Sequence, residues 1–156
     1  MLNPVPPDFA GIALNNCLSG PCSPDLADEA VGLVIRGPQA VFLQEEMVLP
    51  VCGSYRFPAP FWNRFRSLRY EMALVAVDAA THRPLITNLR YRDFEPTSQR
   101  MDETEDGFAE TLIGGWFNAD LCFYIEGFPR RPATYHIFAL IGPERSNVIA
   151  VEVRKP

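Results

Sequence analysis

Lysine is almost absent from this chain: of its 14 basic residues, Lys155 alone is a lysine. Non-specific nucleic-acid binding neutralises many phosphates with lysine and arginine, and the net charge of −5 runs against it. Histidine is scarce too, with only His82 and His136. His82 falls in an expected turn near Asp78 and His136 on an expected strand, and neither has a companion at nucleophile–base spacing. No serine sits in a Gly-x-Ser-x-Gly elbow. Gly114-Gly115 is followed by Trp116, where a phosphate loop would carry Lys and Ser/Thr. These absences argue against an enzyme and imply no cofactor. No apolar run approaches the ~18 residues of a membrane span, and the start of the chain lacks the basic residues and apolar core of a secretory leader. The expectation is a cytoplasmic protein that binds neither nucleic acid nor membrane.

Cysteine is present but sparse: Cys17, Cys22, Cys52 and Cys122. In a reducing compartment they read as free thiols packed as small apolar groups. Cys17 and Cys22 flank the turn Leu18-Ser19-Gly20-Pro21, which is able to close a small disulfide loop. No Cys or His pair lies near Cys52 or Cys122 at zinc-ligand spacing.

What is abundant is strand. The 156 residues are 47% hydrophobic and 21% charged, and they fit one globular domain with a core of its own. Residues 1–28 are rich in Pro, Asn, Ser and Gly and read as an irregular N-terminal arm over a domain of residues 29–156. Strands are expected at 30–36, 41–43, 47–55, 70–77, 85–93, 117–126, 134–141 and 148–153, separated by turn signals. Single helical turns are expected at 24–29 and 61–67. This pattern is that of an all-β protein, an antiparallel β-sandwich.

The segment Pro132-Ala133-Thr134-Tyr135-His136-Ile137-Phe138-Ala139-Leu140, with Ser146-Asn147 and the strand after it, resembles the end of a fibronectin type III or related immunoglobulin-like domain. The resemblance covers about the last quarter of the chain. It implies that Tyr135 packs into the core and that its hydroxyl bonds a nearby backbone group. Cys52, Trp62 and Cys122 mimic the antibody Cys–Trp–Cys series only superficially, because Asp120 precedes Cys122 where that family has tyrosine.

Three groups of residues are candidates for function. In residues 56–70, four arginines and five aromatics lie together without an acid. Phe57, Phe61, Trp62, Arg64, Phe65, Arg66 and Arg69 therefore read as a partner-binding surface, since arginine and aromatics dominate recognition hot spots. The competing reading makes the aromatics core and pairs the arginines with the acidic stretch 93–110. Within that stretch Asp102, Glu103, Glu105 and Asp106 place oxygens close together, as a calcium loop would, but without EF-hand order. Lastly, residues 72–77 and 135–141 are apolar on both faces, so something must cover the second face. The cover is the arm, a neighbouring subunit or another protein; the expectation is that the arm covers part and a partner chain the rest, with Phe138 and Leu140 as the candidate subunit contact. The expected function is a non-enzymatic binding or assembly module that contacts a protein partner or its own copies. The alternative is a carbohydrate-binding, lectin-like module in which Trp62 or Trp116 stacks on a sugar and the acidic loop holds calcium.

Overall fold

The alternation of Tyr135, Ile137, Ala139 and Ile141 drives one face of a nine-residue strand inward, and the rest of the chain is organised around that strand. The computed structural model describes residues 7–15, 22–64, 72–89 and 101–156. The strands in chain order are β1 (Gly32–Arg36), β2 (Ala40–Phe42), β3 (Pro50–Pro58), β4 (Met72–Asp78), β5 (Pro84–Asn88), β6 (Leu112–Asp120), β7 (Ala133–Ile141), β8 (Glu144–Arg145) and β9 (Ile149–Arg154). Two single helical turns, α1 (Ala59–Trp62) and α2 (Leu121–Tyr124), and a short 3₁₀ turn at Pro7–Phe9 complete the described elements. The protein is mostly β.

The strands form two sheets. The smaller has the order β1-β3-β6; the larger has the order β2-β9-β7-β4-β5, with β8 paired to β7. All pairings are antiparallel except one: β2 runs parallel to β9, a departure from the wholly antiparallel expectation. One core lies between the sheets. Ile35, Val51, Tyr55, Phe57 and Phe117 enter it from the smaller sheet, and Leu74, Tyr135, Ile137, Ile141 and Val151 from the larger. Asn147 ties the layers together by donating to the Ile35 carbonyl at 3.0 Å and accepting from the Ile35 N–H at 2.8 Å. A side chain thereby satisfies backbone groups that β1 would otherwise leave open.

Two glycines are set by close approach. A Cβ on Gly53 would lie 2.1 Å from the Phe117 ring, and one on Gly115 would lie 2.6 Å from the Tyr55 hydroxyl oxygen. Only glycine lets these rings lie flat on their partner strand.

Three expectations are corrected. The strand expected over 117–126 stops at Asp120, whose carboxylate accepts from the Cys122 and Leu49 N–H groups, both at 3.0 Å, and caps α2. Leu121 and Ile125 are thus buried at helical spacing while Phe123 points outward. The expected helical turn at 24–29 is irregular, whereas the turn expected at 61–67 forms earlier, at Ala59–Trp62. The cysteines are not all free, and Cys22 does not pair with Cys17. Cys22 is bonded to Cys52, with Cα atoms 5.8 Å apart, because the arm crosses β3 at that point; Cys17 lies outside the described residues. Cys122 remains a free thiol.

Candidate binding surfaces

The two outer faces of the fold are built differently. On the smaller sheet, register aligns Arg36, Cys52 and Asn118 in one row, Val34, Ser54 and Trp116 in the next, and Gly32, Arg56 and Gly114 in a third. The arm is fastened across these rows. Phe9 and Cys22 are buried with Cys52, and the Arg36 guanidinium lies 5.2 Å above the Phe9 ring. The Ser54 hydroxyl donates to the Pro24 carbonyl. The Arg56 guanidinium donates to the Ala27 carbonyl at 2.9 Å. At the far end, the Asn15 side-chain oxygen accepts from the Asp120 N–H at 2.7 Å.

Between the arm and β6 a cavity of about 350 Å³ remains, lined by Pro24, Asp25, Ser54, Arg56, Gly114 and Trp116, among others. Trp116 is half exposed, at 50%. Arg56 stands between two glycines in its row, so no neighbouring side chain on β1 or β6 covers it. Among the described residues it has no carboxylate within ion-pair distance.

On the larger sheet the outer face carries the row Ile86–Val75–Phe138 across β5, β4 and β7, and beside it Asn88–Ala73–Leu140. Ile86 is 63% exposed; Phe138 and Leu140 are half-buried. Arg145 lies over the Phe138 ring at 5.8 Å, and the farther strands bring the exposed pair Arg154–Glu152 at 2.7 Å. The contacts of Phe9, Cys22, Pro24, Ala27 and Asn15 all fall on β1, β3 or β6, on the opposite side of the molecule from this face. Phe138 and Leu140 are therefore brought together on an apolar stripe that ends at β5, an edge strand without a charged residue. Sequence reasoning missed Ile86, the most exposed member of the stripe; its signal was the adjacent pair Leu85-Ile86, which puts a large apolar side chain on each face of the strand at 84–88.

The residues of the 56–70 segment divide. Phe57, Phe61 and Trp62 are core residues, at 3%, 8% and 2% exposure. The Phe57 and Phe61 rings stack at 4.1 Å between centroids, Trp62 meets both edge-on, and the Trp62 indole N–H donates to the Ile113 carbonyl at 2.9 Å. Arg64 is exposed. Phe65, Arg66 and Arg69 lie outside the described residues. Arg56 meets arm carbonyls rather than the acidic stretch. The described link to that stretch is neutral: the Asn63 side-chain amide donates to the Met101 carbonyl at 2.9 Å.

The acidic loop is not gathered round a point. Among the described residues no three His, Cys, Asp or Glu side chains could hold a metal ion, so Asp102, Glu103, Glu105 and Asp106 do not form the calcium cluster. Asp102 is instead turned on its own backbone, accepting from the Thr104 N–H at 2.9 Å and hydroxyl at 2.8 Å, which holds its carboxyl below the usual range.

Three further titrating groups are structural. Asp78 accepts from the Ala80 and Thr81 N–H groups and from Arg131, and these bonds hold its pKa down. Burial, reinforced by the Asp120 charge, pushes the Cys122 thiol up to about 12, so it stays protonated and unreactive at neutral pH. Tyr135 is buried in the core, and its hydroxyl has no hydrogen-bond partner among the described residues. The hydroxyl-to-backbone bond implied by the resemblance is thus not formed there. His82 adopts a left-handed turn conformation at φ 59°, and His136 is exposed.

No family model, curated protein or solved structure matches this chain. No helix among the described residues is long and apolar enough to cross a membrane.

Proposed function

We propose that the protein is a non-enzymatic binding and assembly module, and that the outer face of its larger sheet takes a second copy of the chain. The observation that carries this reading is the apolar row Ile86–Val75–Phe138 with Leu140 beside it, in which Val75 is buried, Phe138 and Leu140 are half-buried and Ile86 is exposed, on the face away from the described arm. Covering such a stripe gains roughly 25 cal/mol for each Å² of apolar surface removed from water. A two-fold contact requires a patch complementary to itself, and an apolar stripe bounded by charges of both signs meets that requirement. The layered sheets and the buried Tyr135 support the immunoglobulin-like reading of the fold. The Cys22–Cys52 bond supports an oxidising compartment over the cytoplasm, since cytoplasmic thiols are held reduced.

Size-exclusion chromatography with light scattering tests the assembly. Wild type is expected to run as a defined oligomer, and the double variant Phe138→Glu, Leu140→Glu as a folded monomer. A wild-type monomer at micromolar concentration removes the subunit reading.

A further inference from the structure

The cavity on the smaller sheet belongs to the other side of the molecule and stands or falls independently of the assembly reading. We infer that it is a binding site for a neutral sugar ring, with Trp116 as its stacking platform. The argument begins with the strand register. Glycines at 32 and 114 leave Arg56 without side-chain neighbours in its row, and that gap opens a trough beside Trp116. The arm supplies the opposite wall. It is held there by the Cys22–Cys52 bond and by the Ser54 and Arg56 bonds to its carbonyls, so the wall is fixed before any ligand arrives. A preformed wall reduces the ordering cost of binding. At about 350 Å³ the space lies at the small end of ligand sites.

The chemistry of the lining selects the ligand class. An indole face carries negative quadrupole charge and attracts the weakly positive C–H groups on one face of a pyranose. Arg56 offers only hydrogen-bond donors and the exposed Asp25 only acceptors. A hydroxyl group can accept from the first and donate to the second. An anionic ligand would meet Asp25 unfavourably, and a cationic one Arg56. A ring bearing several hydroxyls satisfies both.

Indole N–H signals in ¹⁵N correlation spectra read the site directly, because the two tryptophans are separated: Trp116 lines the cavity and Trp62 is in the core. The probes are the methyl pyranosides of glucose, galactose and mannose, each added to about 10 mM. At least one is expected to shift the Trp116 signal saturably and leave Trp62 in place. Saturation-transfer NMR should then show about tenfold weaker binding to Trp116→Ala, an exposed position whose loss leaves the core intact. The inference is overturned if none of the three shifts Trp116, if Trp116→Ala binds them as wild type does, or if methyl glucuronide binds and the neutral sugars do not.

Discussion

The outer face of the smaller sheet is partly covered by the arm, whereas among the described residues that of the larger sheet carries an exposed Ile86 and half-buried Phe138 and Leu140. On the first, a disulfide, two side-chain bonds to arm carbonyls and a buried Phe9 hold the arm in place. On the second, Ile86 stands 63% exposed beside Phe138, and the described arm is on the other side. The two faces differ in the chemistry that can cover them. Polar rows containing Ser54 and Arg56 can be satisfied by backbone carbonyls of a short irregular segment. A row of Ile, Val and Phe offers such a segment no side-chain hydrogen bonds, and the proposed second copy would supply apolar surface to it instead.

The comparison can be broken first at what both faces share. Phe117 is fully buried, lies on Gly53 and fills the core under the smaller sheet. Phe117→Ala should cost about 3–5 kcal/mol, and chemical denaturation would measure it. A cost below about 1 kcal/mol would mean that the core is not packed as described.

Next comes the arm alone. Cys22→Ser with Cys52→Ser removes a cross-link spanning 30 residues, and chain entropy puts the loss at about 3.6 kcal/mol. The same change should leave the proposed oligomer intact, since the arm residues Phe9, Cys22, Pro24 and Ala27 are held on the smaller sheet. Loss of the oligomer in a folded variant would erase the distinction between the faces.

A smaller effect comes from acid. The Asp78 pKa is lowered chiefly by the Ala80 and Thr81 N–H groups, with Arg131 adding to them. Its contribution to stability is therefore fully present above the unfolded value of 3.8 and is lost as pH falls through the lower folded value. Asp120 acts with the opposite sign. Burial raises its pKa, so its ionisation lowers stability as pH climbs through that range. Melting temperatures between about pH 6 and pH 2 should fall less steeply at the acid end for Asp78→Asn than for wild type.

Much of the architecture was legible because strand alternation is a local signal. Tyr135, Ile137, Ala139 and Ile141 declare their inward face, and the turn at Asp78–Pro84 declares itself by its breakers. Asp120 was not legible: Leu121, Phe123 and Ile125 alternate as a strand would, and only the bonds to Cys122 and Leu49 turn them into a helical step. The disulfide was hidden for a related reason. Cys17 and Cys22 are near in sequence, but Cys52 is near Cys22 only after the arm has crossed β3. The 56–70 segment shows that composition does not fix direction. Phe57, Phe61 and Trp62 satisfy their own stacking and the Trp62 N–H within the core, while Trp116, at an outward strand position beside two glycines, carries the exposed indole.

Hydroxyl-radical footprinting of wild type at low and high protein concentration tests the contrast between the faces most directly. The account predicts that Ile86 and Phe138 lose reactivity as concentration rises while Trp116 keeps its own. Unchanged labelling of Ile86 and Phe138, or concentration-dependent protection of Trp116 in their place, would contradict it.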